Sequence, residues 1–458
     1  MSADGLRLAQ EKMRAAGVSE PAIDVFTHYY AALEAGETGL IREDTIEPLL
    51  QAPMLEDMSV DDDAARAALA RTVVIKLNGG LGTSMGMDKA KSLLPVRDGQ
   101  TFLDLICAQI RHARHRYDVR LPLVLMNSFR TREDCLAALA THPDIAVAGV
   151  PADFLQNKEP KLLVSDLTPV SWPKDPTLEW CPPGHGDLYT AILVSGVLEQ
   201  LLEAGYRYAS TSNSDNLGAA PSATIAAWFA GTGAPYAAEV CRRTAADRKG
   251  GHLAIRKSDG RLILRDTAQT ADEEMDHFTD EHRHPYFHTN NLWFDLAALH
   301  DALVQRGAVL GLPLIRNTKT VDPTDKTSPQ VFQIETAMGA AVEVFEGAQA
   351  IVVDRERFLP VKTTNDLLLL RSDVYGVGED FLVRAQVSSA PLVDLDRRFY
   401  TTIADFDARI PEAPSLVDAR SLTVRGDWRF GRGVVVRGDA ALDDSGAAQS
   451  VPAGARLG

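Results

Sequence analysis

Hydrophobic and polar positions divide the 458-residue chain into three stretches. From Ala3 to about Asp61 the apolar residues Ile23, Phe26, Tyr30 and Leu33 recur at helical spacing, and Ser19 with Pro21 just after it predicts a helix start. From Thr72 to about Ser388, short β-branched or apolar runs alternate with amphipathic segments; "TVVIKL", "LPLVLM", "YRYASTS" and "AIVVD" are examples. That alternation predicts a largely parallel sheet wrapped by helices. Beyond it, valines, glycines and aspartates replace the helical pattern, and "TVRGD" at 423–427 returns as "VVRGD" at 435–439. A two-rung repeat suggests a small parallel β-solenoid, with a pair of β-hairpins as the competing reading.

Composition narrows the class of protein. Apolar residues make up 45% and charged residues 24%, an ordinary soluble globular balance, and the length suggests about two or three units. Apolar runs such as "LLLL" at 367–370 fall far short of the roughly 20 residues that cross a bilayer, so no span is predicted. The first residues, "MSADGLRLAQ", carry an early aspartate and no apolar core, which predicts that the chain is not exported. Cys107, Cys135, Cys181 and Cys241 show no CxxC spacing, which argues against a disulfide framework or zinc site and fits core residues in a reducing, cytoplasmic setting. A formal charge of -16 argues against nucleic acid or an anionic membrane as a partner, since both are held by Lys and Arg. A small phosphate ligand needs only a local basic pocket.

Such a pocket is suggested by "VVIKLNGGLGTSMGMDKAKSLLPV" at 73–96, a buried-looking strand that breaks into glycines and then meets two lysines. Glycines after a strand let backbone N–H groups approach phosphate oxygens closely. The P-loop pattern fails, because only three residues separate Gly82 from Gly86 and Met87 follows in place of lysine. The dinucleotide pattern fails too, because Met85 stands where its third glycine belongs.

With "KAKS" after that loop, "PPGHGD" at 182–187, "NSDN" at 213–216, "TNNLW" at 289–293 and "FLPVKTTNDLLL" at 358–369, the chain resembles the eukaryotic-type UTP:glucose 1-phosphate uridylyltransferases over roughly 70–440. The resemblance implies an α/β fold: a Rossmann-like nucleotidyltransferase domain, mostly parallel sheet flanked by helices, at 69–388. An N-terminal helical segment at 1–68 and a C-terminal left-handed parallel β-helix at 389–458 complete it. It implies Mg²⁺-dependent conversion of UTP and α-D-glucose 1-phosphate to UDP-glucose and diphosphate, by in-line attack of the sugar phosphate on the UTP α-phosphorus.

The residues follow by match to the family's motifs. Leu77, Asn78, Gly79, Gly80, Gln156, Gly184 and Asn213 are implied to hold UTP, with Lys91 and Lys362 on the phosphates as catalytic charges. An amide such as Gln156 offers a donor beside an acceptor, which suits the N3–H and O4 edge of uracil. His185, Asn213, Ser214, Asn290 and Glu335 are implied to face the sugar phosphate, and Asp215 to hold magnesium. Magnesium takes one or two carboxylates plus phosphate oxygens and water, so one aspartate suffices. Lys89 has no lysine counterpart in the commonest version of the motif and reads as a surface residue. Lys319 falls in another family segment as additional charge, and His288 replaces the usual asparagine. The spacing of His277, His282, His284 and His288 fits no standard zinc pattern. Competing activities are a pyrophosphorylase for other UDP-sugars or N-acetylhexosamines, and a non-catalytic sugar-nucleotide-binding protein. The family includes monomers and assemblies joined through the β-helix.

Overall fold

The computed structural model describes residues 3–244, 247–248 and 250–458. Two helices, Ala3–Ala15 and Glu20–Glu34, open the chain. Ser19 does stand at the N-cap with extended backbone, yet its hydroxyl makes no capping bond and is buried without a partner among the described residues. Packing holds this helix instead: Ile23, Phe26, Tyr30 and Leu33 meet Ala9, Met13, Leu162, Leu314 and Ile334 in a core of their own. The N-terminal segment is not wholly helical, because strand β1 (Ile46–Pro48) leaves it to join the central sheet.

Nine further strands complete that sheet: β2 (Thr72–Asn78), β3 (Leu123–Asn127), β4 (Asp153–Leu155), β5 (Tyr208–Asn213), β6 (Tyr236–Arg242), β7 (His252–Arg256), β8 (Leu262–Arg265), β9 (Tyr286–Asp295) and β10 (Gln349–Val352). The main order is β1-β7-β9-β5-β2-β3-β4; β6 pairs with β9 and β10, and β8 with β7. β2 is buried along nearly its whole length, and such a strand, covered on both faces, reads as an unbroken apolar run. Its pairings with β3 and β5 are parallel, as are β3 with β4 and β6 with β10.

The expectation of a mostly parallel sheet needs correction, because β9 runs antiparallel to β5, β6 and β7. A parallel return needs a crossover long enough to span the sheet. Between β6 and β9 the described chain holds the β7–β8 hairpin and one five-residue helix, Met275–Thr279, so it comes back in the opposite direction. Alternating apolar runs carry no information about strand direction.

Register then assembles the site. Asn78 lies opposite Asn127, Asn127 opposite Leu155, and Asn213 opposite Leu77, so four strands end along one edge. Gly79, Ser128, Gln156 and Ser214 are the next residues on each strand. This carboxyl edge is where open α/β folds collect ligands.

The C-terminal stretch holds β11 (Leu392–Leu395), β12 (Ser415–Val424), β13 (Trp428–Phe430), β14 (Val435–Leu442), β15 (Gln449–Val451) and β16 (Arg456–Leu457). Every pairing among them is parallel, which excludes the hairpin reading. The sequence repeat is not the structural one, however. Ser415 faces Val435 and Thr423 faces Ala441, so the two "VRGD" copies are not opposite each other. Leu422, Val424, Phe430, Val434, Val436 and Val451 share a continuous core with Val74, Phe102 and Leu367. All four cysteines are buried and free, and among the described residues no helix is long and apolar enough to cross a membrane.

Candidate active site

A cleft of about 350 Å³ opens at the carboxyl edge, lined by Leu77, Gly79, Gly80, Lys91, Gln156, Gly184, His185, Asn213, Ser214 and Asp215. All ten are among the residues expected from the sequence. Leu81, Met126 and Pro182 also line it and were not expected. Their apolar side chains carry no chemistry that a motif search would detect.

The glycines are needed for close approach. A Cβ on Gly79 would lie 2.6 Å from Gln156 Oε1, and one on Gly184 would lie 2.5 Å from the Thr336 carbonyl oxygen at a φ of +80°. Gln156 Nε2 donates to the Gly184 carbonyl at 2.8 Å, and its backbone N–H donates to Asn127 O at 2.7 Å. One amide hydrogen and Oε1 are left to face a ligand. Behind Gln156, the buried Asp187 accepts from Asn157 N at 2.6 Å and Asn157 Nδ2 at 2.8 Å, tying the glutamine's neighbour to the "GHGD" turn. Burial pushes the Asp187 carboxyl up to about 7.

His185 Nδ1 accepts the Met338 N–H at 2.9 Å, so Nε2 carries the ring hydrogen when the ring is neutral. Burial lowers the pKa, which favours that neutral form. Lys91 Nζ donates to Asp215 Oδ2 at 2.7 Å, with both side chains 18% exposed. The ammonium has three hydrogens, so the pair leaves Lys91 able to bind more oxygen. The second Asp215 oxygen takes no hydrogen bond from the described residues.

The remaining expected residues lie outside the lining. Asn78 is buried below the loop, where Nδ2 donates to Asn127 Oδ1 at 2.8 Å and Oδ1 accepts Ser214 Oγ at 3.1 Å. Its side chain therefore braces three strand ends rather than facing a ligand. Asn290 has φ +60° at a bulge where, between Ala238 and Val240 of β6, the β9 partner shifts from Leu292 to His288. Bulges re-aim side chains, and asparagine tolerates this backbone conformation better than most residues. His288 accepts the Asn290 N–H and is buried. Glu335 ends the strand Gln330–Glu335 of a hairpin with Ile315–Thr320, in which Lys319 is its ion-pair partner at 4.0 Å. Lys89 is exposed.

Lys362 is also exposed, one residue before the Thr363 cap of helix Thr364–Arg371. Its segment adjoins Asp215: Asn216 bridges Pro360 in antiparallel fashion, and Val361 N donates to Asp215 O at 3.4 Å.

A nucleotide-sized cleft at the carboxyl edge of this helix-flanked mixed sheet marks a Rossmann-like nucleotidyltransferase. The chain belongs to the family described as "UTP--glucose-1-phosphate uridylyltransferase", whose sequence profile matches residues 23–437. The barley (Hordeum vulgare) enzyme of that name is 38% identical over 462 residues, covering 99% of this chain and 95% of its own. Among solved structures, a mutant UDP-glucose pyrophosphorylase from Leishmania major in complex with UDP-Glc is 40% identical at a TM-score of 0.92, covering 100% of this chain and 98% of that one. A Trypanosoma brucei UDP-glucose phosphorylase is 41% identical at a TM-score of 0.90, covering 99% and 98%.

Proposed function

We propose that the chain joins UTP and α-D-glucose 1-phosphate to give UDP-glucose and diphosphate. The observation that carries this reading is the convergence of Gly79, Gly80, Gln156, Lys91 and Asp215 on one cleft in a chain of this family. The uracil sits against Gln156, whose free N–H and Oε1 match the O4 and N3–H edge. The phosphates lie over Gly79 and Gly80, and His185 donates to the sugar phosphate through Nε2–H. Asn213, Ser214, Asn290 and Glu335 complete the sugar side.

The sugar phosphate oxygen that attacks is already an anion, so the reaction needs no general base. The bond from this oxygen to the UTP α-phosphorus forms as the bond to the diphosphate leaving group breaks. What the chain supplies is orientation and charge: two polyanions are held in line, and Lys91 and Lys362 stabilise charge on the phosphoryl oxygens. A net charge of -16 makes those local cations necessary.

The donor chemistry fits magnesium. Asp215 offers a hard carboxylate oxygen beside the phosphate space, and Mg²⁺ favours one or two such ligands with the rest from phosphate and water. When bound, the ion would neutralise phosphate charge. We also read the C-terminal parallel strands as a left-handed β-helix and divide the chain into units 1–68, 69–388 and 389–458. The consecutive parallel pairings support the β-helix reading. Self-association through that unit and a cytoplasmic location belong to the same proposal.

The test is diphosphate release from UTP and Mg²⁺ against a panel of sugar 1-phosphates. Release with glucose 1-phosphate is expected. Folded protein that releases none with it would overturn the reading, and preference for another sugar would move the assignment to a wider pyrophosphorylase.

A further inference from the structure

Beneath the cleft lies a buried polar layer that the roles above do not use. Glu239 on β6 is fully buried and accepts both Arg357 Nε at 2.7 Å and Arg357 Nη2 at 2.8 Å. It also accepts Trp293 Nε1 at 2.9 Å and Asn291 Nδ2 at 3.1 Å. A buried ion pair with its oxygens fully used is fixed in place, and losing one partner strands a charge.

Asn216 joins this layer to the catalytic edge. Its Nδ2 donates to Asn291 Oδ1 and to Arg357 O, each at 3.1 Å. Its Oδ1 accepts Leu359 N at 2.8 Å and Gly218 N at 3.2 Å. Two donors and two acceptor sites are all a carboxamide has, so its capacity is filled. Asn216 follows Asp215 directly, and its partners Arg357 and Leu359 precede Lys362. The two segments are in backbone contact as well, since a Cβ on Gly218 would lie 2.1 Å from Glu356 O.

We propose that Asn216 is a positioning residue that holds Lys362 in register with Asp215, using the Glu239–Arg357 pair as its anchor. The proposal rests on the roles given above to Asp215 and Lys362. Lys362 needs such support because it is an exposed, four-carbon side chain; among the described residues its ammonium takes no hydrogen-bond or ion-pair partner, while its backbone N–H donates to Asp366 Oδ2 at 2.9 Å. A shift of about 1 Å in that backbone is enough to cost on the order of a hundredfold in rate.

Asn216→Ala removes all four bonds, and Asn216→Asp keeps the shape but loses both donors. With UTP, Mg²⁺ and glucose 1-phosphate, each is expected to lower kcat by at least about tenfold while KM for UTP changes by less than about threefold. In a Lys362→Ala background, Asn216→Ala should add less than about threefold, because residues acting as one unit are not additive. Asn291→Ala, which loses one partner, gives the same readout if neither Asn216 variant folds. Unchanged kcat, or an undiminished loss in the Lys362→Ala background, would overturn the proposal. Near-normal turnover of Lys362→Ala alone would instead reject the role of Lys362, so the two failures are distinct.

Discussion

The Lys91–Asp215 pair shows how one contact serves two tasks. At 2.7 Å the pair balances charge in a partly buried cleft, and it leaves each group with unused bonding capacity. Lys362→Ala is expected to keep the fold and lose about a hundredfold or more in turnover, the usual cost of one electrostatic stabiliser. Steady-state rates beside a melting curve check this, and near-normal activity would refute it. Asp187→Asn should raise KM for UTP more than it lowers kcat, because an amide cannot accept both Asn157 bonds and the Gln156 turn loosens. A substrate titration reports that split. Lys76 is a third case: buried on β2, it donates to Ser212 Oγ at 2.7 Å and Ala219 O at 2.8 Å, and burial lowers it to about 7. Arg357 contributes to that lowering, while Glu239 and Asp215 oppose it. The unfolded chain keeps the ordinary value near 10.4, so between about 7 and 10 it binds more protons and wild-type stability gains with rising pH. The Tm of Lys76→Met relative to wild type should therefore be most favourable near pH 7 and decline toward pH 10. Parallel curves would show that Lys76 does not titrate as stated.

At the scale of elements, the glycine loop was legible because its residues are adjacent in sequence and glycine has a backbone meaning. Gly184→Ala should raise KM for UTP and lower turnover, since its methyl meets the Thr336 backbone at 2.5 Å and its φ of +80° disfavours any Cβ. Kinetics with a melting curve would test it, and a wild-type profile would contradict it. Less was legible where direction and register decide. The same apolar runs fit parallel or antiparallel neighbours, so β9 ran against expectation. The "VRGD" repeat pointed to parallel rungs, although its two copies do not sit in equivalent rung positions. Glu239 in "YAAEVC" and Lys76 in "VVIKLN" were visible as charges inside apolar runs, but their partners come from distant segments.

For the whole molecule, the C-terminal strands are more than an appended module. Their apolar residues share a core with β2 and with the helix Phe102–Tyr117, and Gly86 of the glycine loop packs against Thr402. Truncation after 388 should therefore lower the Tm of what remains, or leave it insoluble, rather than release an intact catalytic unit. Removing Val424, Phe430 and Val436 from a shared core exposes the apolar surface they cover, at roughly 25 cal/mol for each Å² uncovered. A truncated chain with wild-type Tm and activity would disprove this.

The sequence by itself carried the class of fold, the order of the motifs, the glycine loop and, by match to the family's motifs, ten residues that line the cleft. Those depend on local backbone preference, on apolar periodicity and on motifs short enough to read in line. Only the tertiary structure decided that β9 runs antiparallel, that Asn78 braces the strand ends, and that Asn216 ties the Asp215 turn to the Lys362 segment through Arg357 and Glu239. Each of these depends on hydrogen bonds between residues far apart in the chain, which are chosen by satisfying buried polar groups together rather than by any one segment's preference.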